Sequence, residues 1–329
     1  MKAVWFEKNG AAADVLITGE RPTPEPAAGE VRVRVAVSAV NPSDVKRRMG
    51  SPTQKLAFPW AVPNNDGAGV IDKVGAGVDA SRIGERVWLH STGWLRPMGT
   101  AAEYTVTPSQ RAFKLPDGIS FEIGAGLGVP AMTAHRAVFG CGPVGGKTVL
   151  VTGGAGAVGF YAIQLAKRGG ARVIATVSGE EKGAEARRAG ADEVINYRSD
   201  DVPERVAALT GGAGIDHVVD VDFGANLKTT LAVLRNNGSI ATYASMGAPE
   251  PALPFYPMMF KNVHLLWVFV YEMPQQAMQD AGRDINAWLV SGKAAHPQYR
   301  RFGFGEVIAA HQAVEAAVVG KVVIAVGAA

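Results

Sequence analysis

The chain has 329 residues and a mass of 34.4 kDa, a length more typical of two domains than of one. With 47% hydrophobic and 19% charged residues it can bury substantial cores, which excludes a disordered or fibrous protein. The net charge of +3 gives little support for a nucleic-acid partner, and the single cysteine, Cys141, excludes a disulfide framework or a zinc site built from several thiolates.

No segment reaches the ~18 uninterrupted apolar residues of a membrane span. The first residues also lack the apolar core of a signal peptide. We therefore expect a cytoplasmic protein.

The first third of the chain has the pattern of short strands separated by turns. Residues 30–37 alternate polar residues with valine or alanine, which is the period of a strand with one buried face. Residues 67–75 and 85–89 predict further strands, because turn-forming Gly, Pro, Asn and Asp flank them. This part of the chain therefore predicts a β-rich unit.

From about Lys147, short apolar runs alternate with helical patterns. The predicted strands are 148–152, 172–177, 193–197, 216–221, 239–243 and 263–271, and the predicted helices are 157–169, 180–189, one around 205–209 and one ending near 235. Such alternation indicates a parallel sheet covered on both faces. We predict an α/β protein in which this region forms a six-stranded doubly wound domain, after which the chain returns to complete the first unit.

A glycine-rich turn lies between the first of these strands and its helix. Gly154, Gly156 and Gly159 form a G-x-G-x-x-G pattern, which is weak evidence alone but stronger between a strand and a helix. We expect Gly154 to make the tight turn, Gly156 to let a pyrophosphate approach, and Gly159 to allow close helix–strand packing. The helix N-terminus adds unpaired N–H groups. A turn that binds nothing is the alternative to this predicted dinucleotide site.

The residues after the second predicted strand bear on which dinucleotide is bound. NAD sites usually carry an Asp or Glu about 20 residues after the glycines. Here Ser178 follows the strand and Lys182 comes shortly after, and a hydroxyl and an ammonium attract a 2′-phosphate that a carboxylate repels. Glu180 and Glu181 complicate this, although they also suit the first turn of a helix. We predict NADPH.

Through the glycine turn and further motifs, the chain resembles the medium-chain dehydrogenase/reductase superfamily. Within that superfamily it is similar to the zinc-free, zeta-crystallin-like NADPH:quinone oxidoreductases. The motifs cover essentially the whole chain and lie at residues 41–44, 65–69, 99–104, 115–121, 128–134 and 194–198. The resemblance implies a GroES-like catalytic domain of residues 1–123 and 271–329 around a Rossmann domain of residues 124–270. It also implies a homodimer joined through the edge strand of the Rossmann sheet, near residues 265–271.

The resemblance also indicates which residues of this chain stand at the zinc-ligand positions of the superfamily. The zinc-dependent branch of the superfamily has a cysteine where this chain has Asn41 and a histidine where it has Asn65. An amide is a poor zinc ligand, and the six histidines show no ligand spacing. We therefore expect no metal, which suits hydride transfer to an electrophilic quinone better than oxidation of an alcohol.

The resemblance implies catalytic roles for Asn41, Lys46 and Asn65. Asn41 is expected near the nicotinamide, where its amide donates to the acceptor oxygen, although a turn residue before a proline is equally open. Lys46 stands where the family often has tyrosine, which leaves the proton donor open. Asn65 and its neighbours Asn64 and Asp66 are expected at the acceptor pocket, although a tight turn alone would explain them. Arg48 matches a family arginine that could support anionic groups, although a solvated surface charge is expected.

The remaining cofactor contacts are also implied by resemblance. Asn41, Lys46 and Thr133 are assigned to the nicotinamide end. The pyrophosphate is assigned to Gly154, Ala155, Gly156, Ala157, Val158 and Gly159; the 2′-phosphate end to Ser178, Lys182 and Tyr197; and the ribose and nicotinamide side to Phe223, Asn226, Tyr243, Ala244, Ser245, Phe269 and Val270.

These features predict an NADPH-dependent oxidoreductase that transfers a hydride to a quinone. One alternative is a reductase of alkenals, enones or enoyl thioesters, which differs in protonating carbon after hydride delivery. An alternative of another class is a nucleotide-binding structural protein or an RNA-binding protein of the zeta-crystallin type. The absence of a basic stripe weighs against RNA.

Overall fold

The computed structural model describes residues 1–50 and 56–327. The strands are β1 (Lys2–Trp5), β2 (Ile17–Glu20), β3 (Glu30–Val40), β4 (Asp66–Val74), β5 (Arg86–Leu89), β6 (Tyr104–Pro108), β7 (Ala112–Lys114), β8 (Thr148–Thr152), β9 (Arg172–Val177), β10 (Glu193–Asn196), β11 (Ile215–Asp220), β12 (Leu234–Thr242), β13 (His264–Trp267), β14 (Tyr299–Gly303) and β15 (Lys321–Ala325). The α-helices are α1 (Ala12–Val15), α2 (Pro42–Met49), α3 (Phe121–Phe139), α4 (Ala157–Arg168), α5 (Glu180–Arg188), α6 (Val202–Thr210), α7 (Phe223–Val233), α8 (Phe255–Phe260), α9 (Gln275–Val290) and α10 (Val307–Glu315). Short 3₁₀ helices span Ala80–Arg82, Ser109–Arg111, Val270–Glu272 and Phe304–Glu306.

The first of two compact units comprises Met1–Val129, Gly282–Lys293 and the chain from Gln298 onward. Its main sheet has the order β14-β15-β3-β4-β5-β7, and β6 also pairs with β3. The alternating valines of β3 are buried, as the period-two pattern predicts, and the strand continues beyond the predicted segment to Val40.

The transition from β3 to α2 is defined by local chemistry. Pro42 occupies the first turn of α2, where the missing N–H of proline costs nothing. The backbone N–H of Asn41 donates to the Asp44 carboxylate at 2.7 Å, which fixes the start of the helix. Antiparallel pairing of β15 with β3 places Val322 opposite Val40, so Lys321 lies beside the end of β3.

The second unit comprises Pro130–Ala281 and Ala294–Pro297. Among the described residues its sheet is parallel and six-stranded, in the order β10-β9-β8-β11-β12-β13, which confirms the predicted doubly wound domain. After β8 the chain adds β9 and β10 on one side of that strand, and β11 then pairs with its other side. Folds of this type bind ligands in the crevice at the point where the strand order reverses, here between β8 and β11.

Two strand boundaries of the second unit differ from the predictions by several residues. β12 begins at Leu234, earlier than the predicted residue 239, because exposed polar residues continue the strand as far as Gly238. β13 ends at Trp267, since the chain turns into a 3₁₀ helix at Val270. Across residues 1–50 and 56–327, no helix combines the length and apolar character needed to cross a membrane.

Candidate functional site

The glycine turn connects β8 to α4 in the second unit. The positive φ of the turn, 65°, falls on Gly153 and not on Gly154, where the motif had placed the tight turn. Gly154 meets a different requirement, because a Cβ there would lie 2.9 Å from the Cβ of Ala175 on β9. The strand end, Thr152, agrees with the prediction.

Gly159 brings the first turn of α4 against this loop. A Cβ at Gly159 would lie 2.4 Å from the carbonyl oxygen of Gly153, so only glycine permits the packing, as predicted. Ala155 is buried, whereas Gly156 is exposed and Ala157 and Val158 are half-buried. The first-turn N–H groups of an α-helix have no intrahelical acceptor, so α4 presents donors suited to an anion here.

The loop after β9 holds the predicted 2′-phosphate residues. The ammonium of Lys182 lies 3.0 Å from the hydroxyl of Ser178. The carboxylate of Glu180 instead pairs with Arg187 at 2.7 Å and is largely solvent-exposed. Tyr197 follows β10 and is 52% exposed.

A cavity of about 730 Å³ lies at the carboxyl ends of β8, β9 and β11, within the second unit. Its walls include Thr152, Gly153, Thr176, Tyr197 and Asn226. Its volume is in the range of small-molecule sites, and its position is that of the crevice where doubly wound sheets bind nucleotides.

Asp220, at the end of β11, was not foreseen as a site residue. One carboxylate oxygen accepts hydrogen bonds from the Thr152 hydroxyl at 2.8 Å and from Nδ2 of Asn226 at 2.7 Å. Burial raises the pKa of Asp220. The carboxylate therefore orients Asn226, a predicted cofactor residue. The only sequence feature that pointed to Asp220 was an acidic residue at the end of an apolar strand.

The predicted cofactor residues Ala244 and Ser245, after β12, form hydrogen bonds with the first residues of α7. The Phe223 N–H donates to the carbonyl of Ala244 at 2.8 Å, and the Ser245 hydroxyl accepts from the Gly224 N–H at 3.0 Å. The Tyr243 N–H donates to the Asp220 carbonyl at 3.2 Å, and burial strongly raises the pKa of the Tyr243 phenol.

The other predicted residues of this unit differ in exposure. Phe223 is 1% exposed and its ring contacts Trp267 edge to face, which places the side chain in the hydrophobic core. Phe269 is 49% exposed, whereas Val270 and Thr133 are buried.

A buried polar cluster in the first unit contains two of the three predicted catalytic residues. Its members are Asn41, Asp44, Asn65, Asp66 and Lys321, each no more than 3% exposed. Asn41 Nδ2 donates to Asp66 at 2.7 Å, and Lys321 Nζ donates to Asn41 Oδ1 at 2.5 Å. Asn65 Nδ2 donates to Asp44 at 2.6 Å, and its Oδ1 has no hydrogen-bond partner among the described residues.

Two carboxylates share this cluster with one ammonium. Burial raises the pKa of Asp66 to about 7, despite the Lys321 ammonium 4.0 Å away. Burial also raises the pKa of Asp44 and lowers that of Lys321. Asp66 also accepts from the Val129 N–H at 2.8 Å, and Gly128 is required beside it because a Cβ there would lie 2.1 Å from the carboxylate.

Sequence reasoning missed two of these positions. Asp44 lay in the motif at residues 41–44 without a role of its own, and the only signal for Lys321 was a charged residue at the start of an apolar strand. Lys46, the third predicted catalytic residue, is half-buried on α2. Arg48 was expected at the surface but is fully buried, because it pairs with Glu315 of α10 and donates to the Gly10 carbonyl.

Comparison with known proteins places both units in one family. Residues 157–286 match the model described as zinc-binding dehydrogenase, and residues 27–117 match the alcohol dehydrogenase GroES-like domain. A quinone oxidoreductase of Lama guanicoe is 32% identical over 76% of this chain and 74% of its own length. A 2-haloacrylate reductase of Burkholderia sp is 33% identical over 76% of this chain and 75% of its own. A mycobacterial protein solved in complex with NADPH is 29% identical and covers 99% of both chains with a TM-score of 0.86.

The donor atoms at Asn41 and Asn65 do not fit the zinc that one of these models implies. Asn41 Oδ1 already accepts from an ammonium, and the same ammonium would repel a divalent cation. Within the two described ranges, no group of three or more His, Cys, Asp or Glu residues is placed to hold a metal ion. Amides without thiolate or imidazole are weak zinc ligands.

Proposed function

Because this chain belongs to the medium-chain dehydrogenase/reductase family, in its quinone oxidoreductase type, we propose that it reduces quinones with NADPH and without a metal. The observation that carries the proposal is the glycine turn before α4 together with the Ser178–Lys182 pair after β9. The first suits a diphosphate and the second suits a phosphate on the adenosine ribose.

The second unit is proposed to hold the cofactor. The exposed backbone at Gly156 to Val158 would bind the pyrophosphate, and the cavity at the strand ends would take the adenosine half. Ser178 and Lys182 would bind the 2′-phosphate, with Tyr197 beside that end. When bound, NADPH supplies a hydride and thus both electrons of the reduction.

The first unit is proposed to supply the groups that act on the acceptor. A quinone oxygen gains negative charge as its ring accepts a hydride, and a positioned N–H donor stabilises that charge. Asn41 Nδ2 donates one hydrogen to Asp66, and its second N–H is proposed to donate to the quinone oxygen. The ammonium of Lys46 is proposed to add positive charge and to deliver a proton.

The 2-haloacrylate reductase of Burkholderia sp among the relatives provides a second candidate to test, reduction of a conjugated carbon–carbon double bond. The two activities share hydride delivery and differ in which atom is protonated afterwards. Purified protein should be assayed with NADPH against benzoquinone, a naphthoquinone, an alkenal and 2-haloacrylate. Faster NADPH oxidation with the quinones supports the proposed function, preference for the alkenal or haloacrylate supports the second, and no turnover with any acceptor contradicts both.

We further propose that the protein is a cytoplasmic homodimer joined through β13. Among the described residues this strand is at the edge of its sheet, so one row of its backbone groups is available to a second copy. The preceding helix α8 carries exposed aromatic side chains, of which Phe255, Tyr256 and Phe260 are each at least 63% exposed. A cytoplasmic location is consistent with the single cysteine, which leaves no internal disulfide.

A further inference from the structure

The orientation of the Asn41 amide is determined by two charged neighbours. On one side Lys321, which only donates, lies 2.5 Å from Oδ1. On the other side the Asp66 carboxylate lies 2.7 Å from Nδ2. A rotation that exchanged the amide oxygen and nitrogen would place N–H groups against the ammonium and the oxygen against the carboxylate, and both charge-assisted hydrogen bonds would be lost.

Lys321 is itself held firmly. It is the first residue of β15, whose pairing with β3 places it beside the end of that strand. Its ammonium also donates to the Val40 carbonyl at 3.1 Å, and the residue is 3% exposed. The ammonium therefore has little freedom to leave the Asn41 oxygen, since it is buried and also donates to the neighbouring Val40 carbonyl at the end of β3.

We propose that Lys321 is a positioning residue of the reductase, which holds the Asn41 amide so that Nδ2 is presented as a hydrogen-bond donor during reduction of the acceptor. This role rests on the proposed function, because it assigns Asn41 to the acceptor oxygen. Lys321 acts through Asn41 and does not itself touch the substrate.

The competing explanation is that Lys321 only balances the buried carboxylates. The two explanations differ in a double-mutant cycle, because a residue that acts through Asn41 has nothing to act on once that side chain is removed. Lys321→Met should lower kcat by about 10-fold or more while the KM for NADPH stays unchanged. In the Asn41→Ala background the same substitution should lower kcat by less than about 2-fold.

Controls separate this effect from misfolding. Lys73→Met removes a half-exposed lysine of the same unit and should leave kcat unchanged. If Lys321→Met does not fold, Lys321→Met/Asp66→Asn removes the opposing charges together and keeps an acceptor for Asn41 Nδ2. Lys321→Arg keeps a cation and should recover part of the lost kcat. An equal loss in both backgrounds, or no loss in either, overturns the proposal.

A readout without turnover keeps this proposal distinct from the proposed function. A crystal structure of Lys321→Met, or of the double variant, should show the Asn41 side chain in more than one rotamer. A single unchanged rotamer overturns the positioning role. If the wild-type protein failed to oxidise NADPH with every acceptor tested, the proposed function would be contradicted. The crystal structure of the variant would still decide whether Lys321 positions Asn41.

Discussion

The ammonium of Lys182 and the hydroxyl of Ser178 lie 3.0 Å apart, where β9 ends and α5 begins. The two groups together form a phosphate-sized set of donors, whereas the nearby Glu180 carboxylate pairs with Arg187. This arrangement supports the proposal that the loop favours a phosphorylated ribose although Glu180 lies within it.

Replacing Lys182 with alanine should weaken NADPH binding much more than NADH binding. A charge-assisted hydrogen bond contributes about 1.5–3 kcal/mol, which corresponds to roughly a 10- to 100-fold change in the Kd for NADPH. Titration calorimetry with both cofactors measures the difference. Lys167→Ala, in the last turn of α4, is the matched control, and equal losses for both cofactors would remove Lys182 from the site.

Gly159→Ala should abolish tight binding of either dinucleotide. The added Cβ would lie 2.4 Å from the Gly153 oxygen and 2.9 Å from Gly154 Cα, so the turn must move. Such overpacking costs about 1–3 kcal/mol of stability, which chemical denaturation can measure. Gly305→Ala meets no atom within 4 Å and should change neither property. Unaltered NADPH affinity in Gly159→Ala would show that the turn does not bind the diphosphate.

Acid should destabilise the protein through His311. Burial, with the positive charge of Arg48 nearby, lowers the pKa of this histidine to about 3, and neither ring nitrogen has a hydrogen-bond partner among the described residues. Below its ordinary value of about 6.5 the unfolded chain binds a proton that the folded chain does not, so stability falls as the pH is lowered. Between pH 7 and pH 5 the loss is roughly 2 kcal/mol.

His311→Phe removes this proton uptake and keeps a ring in the same packed position. Its free energy of unfolding should therefore fall less than that of the wild type between the same two pH values. The comparison cancels the opposite contribution of Asp66, whose raised pKa makes the folded state gain stability on acidification. Identical acid losses in the two proteins would mean that His311 is not the group responsible.

Phe260→Glu should convert the proposed dimer to a monomer. Phe260 is 70% exposed on α8, immediately before the edge strand, and a carboxylate there would be buried without a partner in the interface. Size-exclusion chromatography with light scattering measures the mass. Ile83→Glu changes an exposed apolar residue of the first unit and should leave the mass unaltered. A Phe260→Glu variant with the wild-type mass would place the interface elsewhere.

The sequence by itself determined the order of the elements in the second unit and the position of the glycine turn. β8 and β9 begin and end at the predicted residues, because a buried parallel strand requires a continuous run of apolar, β-branched side chains. Gly159 could be assigned its packing role for a similar reason, since the requirement arises from neighbours in the same turn.

Only the tertiary structure decided which charges are buried together. Lys321 is 280 residues from Asn41 in the chain, and Arg48 is 267 residues from Glu315. No local pattern distinguishes such residues from solvated surface charges, because their partners are brought to them by sheet pairing and helix packing. Periodicity and turn chemistry act over a few residues and can be recognised in the sequence, whereas the burial and pairing of a charge depend on the whole folded core.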